Sequence, residues 1–248
     1  LVRDLAAQLG DQPDAALAAL NRQPHLCTRR RAGRPLPRGR SLLREDGEWQ
    51  WWSDPHEVLS GPVADGLCAV QDRTQGHPVE IARPRPLELV LDLCAAPGGK
   101  ALALADVGCR VIAADLMASR LATMRAQLPG RLVANDGRTP ALAEGAFDLV
   151  LVDAPCSNTG VLARRPEARW RYDDQHLASL ADLQRELLAS AARLVAHDGR
   201  MVYATCSVSP RENQAIAHSL PGWRLLGERS TWPDEWQAGG YAALLVRA

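Results

Sequence analysis

Two cysteines in this sequence stand where a side chain can do chemistry. Asp153-Ala154-Pro155-Cys156-Ser157 closes one apolar run and Ala204-Thr205-Cys206-Ser207 closes the next. A lone cysteine is more often an inert, buried core residue. Two of them at the ends of consecutive strands are a pair, because adjacent parallel strands bring their carboxyl ends into one crevice. A thiolate can add to an electron-poor carbon and divide one difficult step into easier ones. A second thiol can manage the proton that must move before the first can leave, and Asp153 can hold the group on which charge develops. Spacing alone does not say which cysteine attacks.

A second set of residues describes a ligand site. Asp92-Leu93-Cys94-Ala95-Ala96-Pro97-Gly98-Gly99-Lys100 reads as a buried strand that opens through a small-residue turn into a helix. Gly98 and Gly99 admit close backbone approach, and the helix start offers unpaired N–H donors to a carboxylate or phosphate. The absence of G-x-G-x-x-G disfavours a dinucleotide. Asp115, ending the next strand, can accept both ribose hydroxyls of an adenosine, the plain alternative being a cap for a helix from Ala118. Asp136, after the third strand, can bond an adenine amine or simply make an Asp-Gly turn. Together these strand ends outline an adenosine pocket. Lys100 is the single lysine among 29 basic residues and falls inside the sharpest motif, which invites a functional reading.

These residues need a scaffold that presents strand ends side by side. Apolar runs at Leu87 to Cys94, Arg110 to Asp115, Arg131 to Ala134, Phe147 to Asp153, Arg200 to Ser207, Trp223 to Gly227 and Tyr241 to Arg247 read as strands. Helical patterns fit at Lys100 to Val107, Ala118 to Leu128 and Asp174 to Ala196. The alternation predicts an α/β fold with a seven-stranded, mostly parallel sheet, and the short last connection predicts an antiparallel hairpin at one end. Pro78, Pro84 and Pro86 interrupt both periodicities, so the chain divides into an N-terminal module, 1–82, and a larger domain, 83–248. In the module, Leu5 to Leu20 reads as short helices, Arg29 to Arg40 as loop and Trp49 to Trp52 as a strand. With few core-forming residues, it is expected to pack on the rest rather than stand alone.

Composition narrows the class further. No run of about 18 apolar residues and no secretory start are present, which predicts a soluble, cytoplasmic protein without membrane contact. Leu1 begins in mid-pattern, as the start of a fragment would. The six cysteines form no C-x-x-C pair and no Cys/His cluster, so neither a metal site nor a disulfide framework is expected. Net charge is zero but unevenly placed. Between Asp14 and Glu45 there are eight arginines (Arg22, Arg29, Arg30, Arg31, Arg34, Arg38, Arg40, Arg44) and no acid, a candidate phosphate-binding surface or a merely solvated basic segment. Arg164, Arg165, Arg169 and Arg171 around Trp170 form a second basic stretch. It either grips RNA while the aromatic stacks on a base or is a surface loop anchored by its tryptophan. Trp49, Trp51 and Trp52 can also stack bases, although core packing is favoured for at least two of them.

DLCAAPGGK (Asp92 to Lys100), DAPCSNTG (Asp153 to Gly160) and YATCSVSPREN (Tyr203 to Asn213) resemble the motifs of the Sun/Fmu family of RNA 5-methylcytosine methyltransferases. The resemblance runs from about residue 67 to 248 and takes in Val70-Gln71-Asp72 and Gly239-Gly240-Tyr241-Ala242. It implies a Rossmann-like, S-adenosylmethionine-dependent methyltransferase fold with a small N-terminal RNA-binding module. It implies cofactor contacts from Cys94, Ala95, Ala96, Pro97, Gly98, Gly99, Lys100, Asp115, Asp136 and Asp153. It further implies Cys206 as the nucleophile, Cys156 as the cysteine that assists release, and Asp153 and Lys100 beside them. The substrate so implied is RNA, small-subunit ribosomal RNA first and transfer RNA second, acted on by a monomer without metal. The sequence departs from the family pattern at Asn135, often glycine, and Gln214, often glutamate, and it does not contain the N-terminal helical domain that bacterial members usually carry. A non-catalytic ribosome-assembly protein, a small-molecule methyltransferase and a nicotinamide oxidoreductase are the rivals. Intact cysteines, the basic module and the missing fingerprint disfavour them in turn.

Overall fold

The computed structural model describes Leu5 and residues 13–128 and 131–248. Four strands come first: β1 (Leu26–Arg30), β2 (Leu42–Asp46), β3 (Trp49–Trp52) and β4 (Cys68–Val70). They form an antiparallel sheet in the order β2-β3-β1-β4. Seven more follow: β5 (Leu89–Asp92), β6 (Arg110–Asp115), β7 (Leu132–Ala134), β8 (Phe147–Asp153), β9 (Val195–Thr205), β10 (Trp223–Thr231) and β11 (Gly240–Arg247). Their order is β10-β11-β9-β8-β5-β6-β7, and β5 to β9 run parallel while β10 and β11 make the antiparallel end that the sequence predicts. The chain builds outward from β5 to β7 and then returns to β8, so the strand order reverses between β5 and β8. Ligand crevices open at that point in sheets of this kind.

Strand composition explains the layers. Val150 and Val152 of β8 face one core with Met201 and Tyr203 of β9, while Leu149 and Leu151 face the other with Val202. A central parallel strand must be apolar on both faces, and these runs are. Helix Asp174–Leu194 covers the first face through Leu187, Leu188 and Ala191. Helices Arg73–Ala82 and Gly99–Asp106 cover the second through Val79, Ala82, Ala101 and Leu104.

The first 82 residues depart from expectation in several places. Arg29 and Arg30 lie in β1, not in a loop, because Cys27, Thr28 and Arg29 are buried between β3 and β4. Pro78 does not break a helix but sits inside Arg73–Ala82, buried. A proline there forgoes one backbone hydrogen bond, and the burial of Gly76, Pro78 and Val79 in the same turns offsets it. Trp49, Trp51 and Trp52 are all buried, which removes every one of them as a base-stacking surface. Of the predicted Leu5 to Leu20 helices, Pro13–Ala19 forms, and residues 6–12 lie outside the described residues. In the larger domain the helix from Ala118 ends at Ala122 and continues as turns, short of the expected Leu128.

Buried ion pairs join the two sheets. Arg29 donates to Gln71 Oε1 at 2.8 Å and to Asp106 Oδ2 at 2.8 Å, and Arg31 donates to Asp106 Oδ1 at 2.9 Å. Asp72 starts helix Arg73–Ala82 by accepting from Thr74 N, and it also accepts from Ala238 N and pairs with Arg164 at 2.6 Å. Two of the eight arginines are therefore structural, not free for phosphate. Arg44 lies over the rings of Trp51 and Trp236 at 5.0 and 5.3 Å. Arg22, Arg34, Arg38 and Arg40 remain exposed.

Candidate functional site

Asp92, Asp115 and Asp153 end β5, β6 and β8, neighbouring parallel strands, so three carboxyl groups gather at one edge of the sheet. Lys100, in the first turn of the helix that follows β5, pairs with Asp153 Oδ2 at 2.6 Å and donates to Gln75 Oε1. One lysine thus faces three acids, with Arg120 reaching Asp115 at 3.4 Å from the side. Burial pushes the Asp92 carboxyl up to about 7, the charge of Asp153 adding to it. Neither Asp92 oxygen has a side-chain or backbone partner within hydrogen-bond geometry. Asp115 accepts from Met117 N at 3.1 Å and Ala96 N at 3.2 Å, so it braces the turn after β5 and is not the cap of the Ala118 helix, whose N-cap is Met117.

Gly98 holds φ +108°, a left-handed conformation that lets the helix begin at Gly99 directly behind the turn. Cys94 is half-buried, and burial together with Asp92, Asp153 and Asp115 pushes its thiol up, so it stays neutral. Asp136 closes the third strand end as an Asx turn. It accepts from Arg138 N at 2.9 Å and pairs with the Arg138 guanidinium at 2.7 Å, and those hydrogen bonds hold its carboxyl down at about 2.

The two thiols meet as the spacing predicts. Asp153 on β8 pairs in register with Ala204 on β9, so the chain segments after these strands leave the sheet together. Cys156 Sγ and Cys206 Sγ are 3.1 Å apart and both are free thiols. Cys156 is buried and Cys206 half-exposed. The hydrogen bond to Cys206 is the first cause that pushes the Cys156 thiol well above its ordinary range, followed by burial and by the charges of Cys206 and Glu212. Cys156 is therefore the member of the pair that holds its proton.

Residues outside the sequence-predicted set build the frame. Glu212, fully buried, accepts from Ser157 N at 2.8 Å, Ser157 Oγ at 2.5 Å, Ser207 Oγ at 2.6 Å and Gln184 Nε2 at 3.2 Å. One carboxyl group thus clamps the loop after Cys156 to the loop after Cys206. Gly160 lies against backbone: a Cβ there would stand 2.5 Å from Gly239 O and 2.8 Å from Cys206 O. This close approach ties the end of DAPCSNTG to the glycine pair before β11. Asn158 donates to Cys156 O and accepts from the Cys206 thiol. The signals for Glu212 and Asn158 are their places in the YATCSVSPREN and DAPCSNTG motifs; Gln184 carries none.

Trp170 is 90% exposed, so it anchors nothing and leaves an open ring face. Its segment is held instead by Arg164 on Asp72 and by Arg169, which donates to Leu20 O and Asn21 Oδ1 at 2.8 Å. No helix among the described residues is long and apolar enough to cross a membrane. No group of three or more potential metal ligands occurs among them.

Residues 79–222, more than half of the chain, match the family model of the 16S rRNA methyltransferase RsmB/F. The chain belongs to the RsmB/F family. It is 34% identical over 195 residues to the ribosomal RNA small subunit methyltransferase B of Proteus mirabilis, covering 73% of this chain and 46% of that protein. Against the crystal structure of PH0851 the TM-score is 0.90 at 26% identity, covering 99% of this chain and 65% of that one. A methyltransferase homolog protein from Pyrococcus horikoshii shares the fold, with a TM-score of 0.81 at 21% identity over 99% of this chain and 94% of that one. The chain spans less than half the length of the curated RsmB/F relatives it matches. The fold is the Rossmann-like one of S-adenosylmethionine-dependent methyltransferases, and S-adenosylmethionine is the cofactor of the family. The residues present fit that cofactor, because an excess of carboxylate around one lysine, including a buried unpartnered Asp92, suits a ligand carrying a sulfonium and an ammonium.

Proposed function

We propose that this chain methylates the fifth carbon of a cytosine in RNA, with Cys206 as the covalent nucleophile and Cys156 assisting release. Small-subunit ribosomal RNA is the substrate that the RsmB/F relationship favours. The observation that carries the reading is the thiol pair, 3.1 Å apart at the carboxyl ends of β8 and β9 and beside the acidic crevice of β5. The fifth carbon of cytosine is a poor nucleophile. Addition of the Cys206 thiolate to the sixth carbon turns the ring into an enamine whose fifth carbon can take a methyl group. S-adenosylmethionine, when bound, supplies that methyl in electrophilic form.

The remaining work belongs to the chain. Asp153, oriented by Lys100, is placed to bond the ring nitrogen or amino group of the base and to steady the charge that builds there. Cys156 is the donor of the pair in this reading, aimed at the Cys206 sulfur. Once Cys206 is bonded to carbon, the main cause that holds the Cys156 proton is gone, and burial and Glu212 are what remain. Once its own proton has passed to water, Cys156 can take the proton from the fifth carbon, and the electrons of that C–H bond restore the double bond as the bond from the sixth carbon to Cys206 breaks and the thiolate leaves. Cys94, Ala95, Ala96, Pro97, Gly98, Gly99 and Lys100 with Asp115, Asp136 and Asp153 form the cofactor site in this reading, and Asp92 joins them. The exposed Leu116 and Met117, next to Asp115, offer apolar surface to an adenine. Residues 1–82 act as the RNA-binding module, with the exposed Arg22, Arg34, Arg38 and Arg40 among the described residues as its phosphate contacts, and Trp170 with Arg165 and Arg171 as a second contact.

Denaturing gels of variants incubated with RNA and cofactor test the chemistry. Cys206→Ala is expected to abolish methylation and leave cofactor binding intact, and Cys156→Ala to accumulate a covalent protein–RNA adduct. An adduct that requires Cys156 and persists without Cys206 would reverse the roles. Bisulfite sequencing of RNA from cells with and without the gene identifies the substrate, and a lost site in transfer RNA would overturn the ribosomal assignment.

A further inference from the structure

Asn158 stands in a left-handed conformation, φ 60° and ψ 23°, between the two cysteines. Asparagine tolerates this region better than other residues with a Cβ, yet its use beside a reactive pair asks for a reason. Its side chain supplies one. Nδ2 donates to Cys156 O at 2.9 Å, and Oδ1 accepts from Cys206 Sγ at 3.2 Å. A carbonyl can only accept, so the amide cannot turn round without setting oxygen against oxygen. That leaves Oδ1 aimed at the Cys206 sulfur.

An amide oxygen facing a sulfur bonds a thiol and repels a thiolate. Cys156 acts in the opposite sense, because its S–H can donate to Cys206 whether or not Cys206 is ionised. Cys206 thus lies between one donor and one acceptor. We infer that Asn158 is a positioning residue for Cys206, which aims its thiol and sets how readily the sulfur reacts. Asn158 acts through the Cys206 sulfur that it contacts. The link to catalysis rests on Cys206 as nucleophile, but the aiming of its thiol does not.

The test reads the thiol itself. The rate at which iodoacetamide alkylates Cys206 is followed by peptide mass spectrometry from about pH 6 to 10, which spans ordinary thiol values. Near pH 7, Asn158→Ala is expected to speed alkylation of Cys206 by up to about tenfold and Asn158→Asp to slow it by about tenfold. Asn158→Gly, which adopts φ 60° without strain, should behave as the alanine variant does, so misfolding of one variant leaves the other to decide. Equal alkylation rates in the wild type and the variants, or changes of opposite sign, would overturn the proposal. A failure of Cys206→Ala to abolish methylation would instead sink the assignment of the nucleophile and leave this result standing.

Discussion

Asp92 is a carboxyl group that the folded chain keeps neutral across a range where the unfolded chain ionises it. Burial is the main cause, the charge of Asp153 adds to it, and Lys100 only partly opposes them. The folded value is about 7 against 3.8 for the free side chain, so the unfolded state sheds its proton first as pH rises. Stability is therefore full below about pH 4 and falls as pH rises through the window up to 7. Asp92→Asn keeps the shape without the charge. Urea unfolding should find this variant equal to the wild type near pH 4 and more stable at pH 8, by on the order of 4 kcal/mol. An unchanged gap across that range would show that Asp92 is charged in the fold. Retaining an acid at such a cost is expected where a cationic ligand later pairs with it.

Among elements, the tie from β9 to the start of β5, across the intervening β8, depends on one residue at the edge away from the cysteines. Glu88 precedes β5 and accepts from Arg200 of β9 at 2.8 and 3.0 Å and from Arg85 at 2.8 Å, and Arg200 also donates to Ala82 O at the end of helix Arg73–Ala82. Burial pushes the Glu88 carboxyl up, but the hydrogen bonds from Arg200 and Arg85 outweigh it and hold it at about 2. The sign is opposite to that of Asp92. Stability from Glu88 is full above its ordinary value of 4.5 and is lost as pH falls toward 2. Glu88→Gln is expected to lower stability at pH 7 by about 2 kcal/mol and to flatten the loss of stability below pH 4.5, as read by circular dichroism during acid titration. A parallel titration curve in the variant would remove Glu88 from the acid transition.

The whole molecule depends on the seam between its two sheets. Arg29 and Asp106 keep only 5% and 10% of their side chains exposed, so removing the acid leaves buried positive charge without a partner. Asp106→Ala should cost about 3 kcal/mol or more and make the β1–β4 sheet sensitive to limited proteolysis before the larger domain. Simultaneous cleavage of both would mean that the seam is not the weak point. Trp170 bears on the substrate side of the same seam, since Arg164 and Arg169 fasten its segment to the N-terminal module. Trp170→Ala is expected to weaken RNA binding in filter assays by roughly tenfold, about 1–2 kcal/mol, with no change in cofactor binding. Equal RNA affinity would make the exposed ring irrelevant to substrate.

Periodicity and strand-end chemistry determined the seven-stranded sheet, its antiparallel end, the meeting of Cys156 with Cys206, and the placing of Asp115 and Asp153 at strand ends. These are legible because a strand's burial pattern and the residue at its end are local properties, and parallel pairing then brings the ends together. Other features depended on residues far apart in the chain. Arg29 and Arg31 look like part of a basic segment until Asp106, 77 and 75 positions away, takes both. The tryptophans of β3 look available for stacking until Trp236 and helix Arg73–Ala82 cover Trp51 and Trp49, and Val58 and Cys68 cover Trp52. Glu212 becomes a clamp only when two strand ends converge on it. Likewise, the assignment of the held proton to Cys156 followed from its burial and its bond to Cys206, not from its spacing. Charge and burial are set by everything that packs around a group, and only the tertiary structure places those neighbours.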